Sequence, residues 1–122
     1  MTSEGLPRSW RLTRASDIQA VVKSGCHRGS KRLDVFWVDS DLGHPRLGLV
    51  VPKHGAKAVV RNRLRRKLRE IARRSVLPEL ASMDVVLRTR ASAYEAEFRD
   101  LAADLERWLQ SLSDPRSGRG RR

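Results

Sequence analysis

The segment from Lys53 to Arg74 constrains this chain more than any other part, because its 22 residues include ten basic side chains and one acidic side chain. Residues 1–52 carry a net charge of +3 and residues 75–122 carry none, so this segment holds three quarters of the formal charge of +12. Basic groups at this density repel one another unless counter-charge arrives. A fold that accepts the segment must leave these groups at its surface, and the charge favours a polyanionic partner.

The same segment has the apolar period of an amphipathic helix, which we predict to run from about Ala58 to Ser75. Its apolar residues fall within about 120° of arc at 100° per residue: Val60, Leu64, Leu68, Ile71 and Ala72. The opposite side carries Asn62, Arg65, Arg66, Arg69 and Arg73, and a flank carries Arg63, Glu70 and Arg74. The pattern therefore predicts a helix that buries one side and presents guanidinium groups on the other.

Another helix is predicted near the N-terminus, capped by Thr13 and ended by Gly25. Its apolar stripe consists of Ile18, Val21 and Val22. Two runs of strand-forming residues follow, at 33–38 and 47–51, with turn-forming residues at 39–45 between them. This arrangement predicts a β-hairpin.

A further short strand is predicted after the charged helix, at 84–88, and a capping box of Ser92 and Glu95 predicts the start of the last helix. That helix has an apolar stripe of Tyr94, Phe98, Leu101, Leu105, Trp108, Leu109 and Leu112. The order is helix, strands, helix, strand, helix, and the intervening helix favours parallel strands on its two sides. We predict one α+β domain with a single sheet over residues 1–112 and a disordered basic tail over residues 113–122.

Several classes of site and location are disfavoured by the sequence. Cys26 is the only cysteine, so no internal disulfide or thiolate cluster can form, which fits a reducing, cytoplasmic location. The three histidines lack zinc-site spacing, the carboxylates are scattered, and no nucleophile-elbow pattern is present. No apolar stretch approaches the length of a membrane span. We expect neither a catalytic residue nor a metal ligand in this chain.

Nucleic acid is the partner that the arginines favour. The chain has 21 Arg and 5 Lys, and the planar guanidinium fork matches phosphate with two hydrogen bonds. A GC-rich coding sequence, a solvated helix or an acidic membrane or protein partner are alternative explanations. Asn62 is the only amide on the basic face, so reading of DNA bases looks poor, whereas an exposed Phe36 or Trp37 would suit RNA. The alternative prediction for each ring is burial in the core.

The residues around Arg61-Asn62-Arg63 resemble the protein component of bacterial ribonuclease P. The resemblance includes the approach Gly55-x-Lys57-Ala58-Val59 and continues to Glu70. It extends to Arg11-Leu12, Asp17, Gly25, Arg46-Leu47-Gly48-Leu49 and Asp84-Val85-Val86, and so covers roughly residues 10 to 110 in consistent order. Taken together, these motifs are far more specific than an Arg-Asn-Arg triplet alone.

The resemblance implies a fold and a function. The fold is a small mixed sheet of about four strands packed with helices, with a left-handed strand-helix-strand crossover as in the ribosomal protein S5 domain 2-like fold. The function is that of an RNA-binding subunit, whose partners are the catalytic RNA of ribonuclease P and the 5′ leader of precursor tRNA. The RNA holds Mg²⁺ and cleaves the leader, so the protein itself needs no cofactor. No DNA or membrane partner is expected.

Site residues follow from the resemblance position by position. The expected RNA contacts are Arg11, Lys53, Arg61, Asn62, Arg63, Arg65, Arg66, Arg69 and Arg73. The expected leader cleft is lined by Ile18, Val22, Phe36 and Val50. Aromatic rings are common among relatives at positions 18 and 22, so stacking on leader bases should depend more on Phe36. Pro52 and His54 replace a serine and a lysine common in the family, which puts a role for those two positions in doubt.

Two other classes of function stay open from the sequence alone. One is a structural RNA-binding protein of the ribosomal type, without a part in an enzyme. The other is an architectural DNA-binding protein. Identification of copurifying nucleic acid would separate them.

Overall fold

The structure is a computed structural model that describes residues 6–112; the predicted tail at 113–122 lies outside the described residues. One mixed sheet contains four strands: β1 (Cys26–Gly29), β2 (Leu33–Asp39), β3 (Arg46–Val50) and β4 (Met83–Thr89). Three α-helices surround it: α1 (Ala15–Ser24), α2 (Ala58–Ile71) and α3 (Phe98–Leu112). The fold is therefore α+β, in the predicted order of elements with one strand added.

The strand order in the sheet is β1-β2-β4-β3, so the predicted hairpin of β2 and β3 is wrong. β4 lies between these two strands, antiparallel to β2 and parallel to β3, and Val86 pairs with Phe36 on one side and Gly48 on the other. The residues of β4 from 83 to 87 are all buried, and a strand that is apolar on both faces needs a neighbour on each edge. The predicted parallel pairing across α2 is confirmed. The hand of this crossover stays a prediction from the resemblance.

β1 was missed because its sequence, Cys-His-Arg-Gly, has no strand-like apolar alternation. It forms the true hairpin with β2, in which His27 pairs with Phe36 and Gly29 with Asp34. Ser30 closes the turn, where its backbone N–H donates to the carbonyl of Leu33 at 2.8 Å. The polar sequence suits an edge strand that is largely exposed.

The predicted N-caps of the first and last helices are both wrong. Arg14, not Thr13, is the N-cap of α1, and no side chain caps it. Gly25 ends α1 as predicted. A Cβ at this position would lie 2.6 Å from the carbonyl oxygens of both Val21 and Trp37, so a larger residue does not fit there. Ser92 caps no helix, since its hydroxyl donates to the carbonyl of Lys31 and α3 begins later.

The main core fills the space between one face of the sheet and helices α2 and α3. From α2 it receives Leu64, Leu68 and Ile71, and it continues into a π-helical turn, Ala72–Val76. Val60 is half-buried and Phe98 is exposed. The predicted apolar stripes of α2 and α3 are therefore wrong at the first turn of each helix. A smaller cluster on the opposite face of the sheet lies under α1: Leu12, Val21, Phe36 and Val86.

Candidate nucleic-acid interface

The basic side of α2 lies at the surface, as the helical period predicts. Because Leu64, Leu68 and Ile71 are buried against the sheet, the polar residues between them are turned away from the core. Asn62, Arg63 and Arg66 are exposed, and Arg61, Arg65 and Arg69 are half-buried. The guanidinium of Arg65 donates to the side-chain oxygen of Asn62 at 2.9 Å.

Arg11 joins this surface from a distant part of the sequence. A parallel bridge to Leu47 holds its backbone beside β3, and its Nε donates to the carbonyl of Leu6 at 2.9 Å. A cavity of about 190 Å³ is lined by Arg11, Arg65 and Arg69 together with apolar residues that include Ile18. We call Arg11, Arg65, Arg66 and Arg69 the guanidinium cluster.

The guanidinium cluster contains like charges close enough to disturb each other. The pKa of Arg69 is lowered, first by burial and then by the neighbouring charges of Arg11, Arg65 and Arg66. Within residues 6–112, no carboxylate forms an ion pair with any member of the cluster. An anion that entered between these groups would relieve their repulsion, and phosphate has the geometry to accept several guanidinium hydrogen bonds.

Arg73 and Arg74, in the π-helical turn after α2, are paired with Glu70 instead. The carboxylate of Glu70 accepts from Nη2 of Arg73 at 2.7 Å and lies 2.5 Å from Nε of Arg74. These contacts, with Arg73 the larger cause, lower the pKa of Glu70. Arg73 therefore has an acidic partner that the guanidinium cluster lacks, although it lines a cavity of about 230 Å³ together with Arg11, Arg66 and Arg69. Its RNA contact stays a prediction.

Three buried carboxylates bind arginines elsewhere in the fold. Asp84 accepts two hydrogen bonds of 2.8 Å from Arg46, and Asp104 binds Arg32 and Arg107. The third, Asp34, accepts from Arg90 at 2.7 Å. These three acids bind arginines outside α2, so none of them compensates the positive charge of the guanidinium cluster.

The loop before α2 presents two further predicted positions. Lys53 is exposed, and the chain then turns through His54 and Gly55, with φ angles of 46° and 82°. The hydroxyl of Tyr94 donates to the carbonyl of Pro52 at 2.6 Å and so holds the start of this loop. The loop thus places Lys53 near the N-terminal end of the basic helix.

The predicted leader-cleft residues come together between α1 and the sheet. Ile18, Val22 and Val50 are half-buried around Phe36, and all four belong to the smaller apolar cluster. We call these four residues the apolar cleft. Ile18 also lines the arginine-lined cavity, so the apolar cleft adjoins the guanidinium cluster.

Of the two alternatives for Phe36 and Trp37, burial is the outcome for both rings, each of which is 5% exposed. The ring of Phe36 is stacked with that of His27, with centroids 4.6 Å apart, and Cζ of Arg88 lies 4.9 Å from its centroid. Trp37 packs edge-on against Trp108 in the main core. Alternation placed the two rings on opposite faces of β2 correctly, but both faces are covered.

The prediction from sequence missed four residues at the open end of the α1 side of the sheet: His27, Asp34, Arg88 and Arg90. Arg88 and Arg90 follow the apolar run of β4 at a spacing of two, which puts them on the same face of the sheet. That spacing could have been used to predict a basic patch on this face of the sheet. His27 had no such signal, because nothing in the sequence pattern marked β1 as a strand.

Asp34→Asn is expected to lower the free energy of unfolding by about 1–2 kcal/mol at neutral pH, because Asp34 is buried and holds half-exposed partners. The hydrogen bond from Arg90 is the main cause that lowers the pKa of Asp34 from its ordinary 3.8. The contribution of this carboxylate is therefore complete above that pH and is lost as the pH falls through the lowered value.

Urea denaturation of wild type and variant at neutral pH and in acid tests this expectation. The difference in stability between the two proteins should shrink in acid. A difference that stays constant would show that the ionised carboxylate of Asp34 does not stabilise the fold.

Neither a membrane-spanning helix nor a metal-binding group stands out in the described part of the chain. None of its helices has the length and apolar character needed to cross a bilayer. Over the same residues, no three His, Cys, Asp or Glu side chains come close enough together to hold a metal ion.

Comparison with known proteins places these features in a family. The family model described as Ribonuclease P matches residues 6–113. A ribonuclease P protein component from Acidothermus cellulolyticus is 38% identical over 119 residues, which cover 94% of this chain and 98% of that relative. A ribonuclease P protein component from Aliivibrio salmonicida is 35% identical over 112 residues, which cover 91% of this chain and 95% of the relative.

Solved structures show the same fold. The ribonuclease P protein from Thermotoga maritima is similar at a TM-score of 0.73 and 28% identity, covering 82% of this chain and 94% of the other. A Staphylococcus aureus ribonuclease P protein structure gives a TM-score of 0.75 at 24% identity, with 85% and 95% covered, and this likeness concerns the fold alone. The family match spans nearly the whole described chain and agrees with relatives above 30% identity. The chain therefore belongs to the ribonuclease P protein family.

Proposed function

We propose that this chain is the RNA-binding subunit of a ribonuclease P, which assists a catalytic RNA in removing the 5′ leader of precursor tRNA. The observation that carries the proposal is the guanidinium cluster, whose four arginines have no acidic partner among residues 6–112. Membership of the family supports RNA as the polyanion. Such a subunit acts in the bacterial cytoplasm.

In this proposal the protein binds RNA, and the RNA subunit cleaves the precursor tRNA. The guanidinium cluster, with Arg61, Asn62 and Arg63 on the preceding turn of α2, contacts phosphates of the RNA subunit. Guanidinium forks donate hydrogen bonds to phosphate oxygens and replace counterions released from the RNA. Mg²⁺ and the attacking water belong to the RNA, and the protein strengthens their action by neutralising charge and positioning the substrate.

The leader of the precursor lies, in the same proposal, along the apolar cleft. Ile18, Val22 and Val50 are half-buried there and offer apolar surface beside the guanidinium cluster. A single strand bound in such a place combines apolar or stacking contacts to its bases with basic groups along its backbone. Because the ring of Phe36 is covered, base stacking in this cleft does not use its face directly.

Reconstitution with the cognate RNA subunit tests the proposed function. We expect precursor tRNA to be cleaved slowly by the RNA alone at low Mg²⁺, faster after addition of the protein, and not at all by the protein alone. The assay follows release of a labelled 5′ leader. Cleavage by the protein alone would contradict the division of labour, and absence of stimulation would contradict the assignment as a subunit of the enzyme.

A further inference from the structure

The α1 side of the sheet is only partly covered. α1 packs over Phe36 and Val86, but the ends of β2 and β4 near Gly29 continue beyond it. Three side chains there are nearly half accessible: those of His27, Arg88 and Arg90 are 48%, 42% and 47% exposed. We call His27, Asp34, Phe36, Arg88 and Arg90 the His27 shelf.

An aromatic pair forms the centre of the His27 shelf. The imidazole of His27 is nearly parallel to the ring of Phe36, with an interplanar angle of 16° and 4.6 Å between centroids. Phe36 is buried, whereas about half of the His27 side chain is accessible. The buried phenyl ring therefore serves as a base, and the imidazole is the ring of the pair that a ligand can reach.

Asp34 orients the imidazole from the side. Its Oδ1 lies 3.1 Å from Nε2 of His27, and because an ionised carboxylate only accepts hydrogen bonds, Nε2 carries the proton. The same carboxylate binds Arg90 at 2.7 Å and lies 3.7 Å from Arg88. One negative charge thus serves two arginines and a histidine, which leaves the His27 shelf with excess positive charge.

We propose that the exposed face of His27 stacks on an unpaired nucleobase, and that Arg88 and Arg90 bind the adjoining phosphate. This inference rests on the proposed function, since it takes the bound nucleotide to belong to the leader of precursor tRNA. An imidazole held flat on a phenyl ring loses little freedom when a base stacks on it. The continuity of the His27 shelf with the apolar cleft, through Phe36, favours one strand that passes over both.

The test uses full-length protein, its RNA subunit and precursor tRNA with 2-aminopurine placed in turn at each leader position. Stacking quenches the fluorescence of this base, so one position should be quenched by the wild-type holoenzyme. His27→Ala should abolish that quenching and weaken precursor binding by about fivefold or more, the effect of losing one stacked base. Binding of mature tRNA, which lacks the leader, should not change.

His27→Phe is the matched variant, because it keeps an aromatic face on Phe36 and removes the hydrogen bond to Asp34. It should retain the quenching and most of the affinity for precursor. If His27→Phe loses as much as His27→Ala, the hydrogen bond to Asp34 and not the stacking is what matters, and the inference is wrong. It is also wrong if His27→Ala keeps wild-type quenching and affinity.

Two further measurements separate the inference from the function on which it rests. Affinity for the isolated RNA subunit should be the same for wild type and both variants. His27→Ala should unfold at a lower temperature, because it uncovers Phe36 and removes the hydrogen bond to Asp34, so binding is compared well below the unfolding temperature of every variant. Wild-type protein that fails to stimulate cleavage would overturn the proposed function itself. Wild-type stimulation with no stacked leader base would overturn only the role of His27.

Discussion

Leu68→Ala is expected to lower the free energy of unfolding by about 3 kcal/mol, within the range of 2–5 kcal/mol typical of buried leucines. Leu68 is fully buried at the centre of the α2 contact with the sheet, between Leu64 and Ile71. Truncation would remove its apolar contacts and leave a cavity that the sheet and α3 cannot fill by a small shift. Chemical denaturation followed by circular dichroism measures the loss.

Val59→Ala is the matched control on the same helix. Val59 is 60% exposed, so its truncation should change the free energy of unfolding by no more than about 0.5 kcal/mol. A stable Leu68→Ala variant, or equal losses for the two, would mean that the buried side of α2 has been assigned to the wrong face.

The buried side of α2 was predictable because helical periodicity is local. Four apolar residues recur at the spacing of a helix, and the structure buries Leu64, Leu68, Ile71 and Ala72 as predicted. The pairing of Arg73 and Arg74 with Glu70 could have been predicted from local spacing too, since residues three and four positions apart are neighbours on a helix. Local spacing therefore predicts much of this surface.

The pairing of strands was not predictable from local spacing. β2 and β3 are neighbours along the chain and have turn residues between them, which favours a hairpin. In the structure β2 and β3 do not pair with each other, because β4, more than 30 residues further along the chain, lies between them. Only its unbroken apolar run from Val85 to Leu87 hints that it needs a partner on both edges.

The same limit applies to the candidate site. Arg11 reaches the guanidinium cluster only through its bridge to Leu47, a long-range pairing that the sequence pattern does not reveal. Alternation along β2 places Phe36 and Trp37 on opposite faces but cannot tell what covers each face. His27 and Arg88, from the two neighbouring strands, cover Phe36 and replace it as the accessible groups.

Replacing Arg65 and Arg69 together by glutamine is expected to weaken binding of the RNA subunit by about 100-fold, since a charged hydrogen bond contributes about 1.5–3 kcal/mol. Glutamine keeps much of the aliphatic stem and the helix propensity but removes the charge. The slope of log affinity against log salt should fall in magnitude by about 2, one for each lost phosphate contact. Titration of labelled RNA subunit at several salt concentrations measures both quantities.

The control is the double change Arg73→Gln with Arg74→Gln, which removes the same formal charge from the next turn of the helix. Because both arginines are held by Glu70, we expect less than about a tenfold loss of affinity and a smaller change in salt slope. Equal losses for the two double variants would show that total charge, not the guanidinium cluster, governs binding.

Stability distinguishes a binding surface from a structural one. The charges of Arg65 and Arg69 are four residues apart on one helix, and like charges at that spacing cost about 0.2–0.5 kcal/mol. The pKa of Arg69 is lowered first by burial and then by the charges of Arg11, Arg65 and Arg66. The Arg65→Gln, Arg69→Gln variant should therefore be at least as stable as wild type while it binds RNA far more weakly, because these groups oppose folding until an anion lies between them.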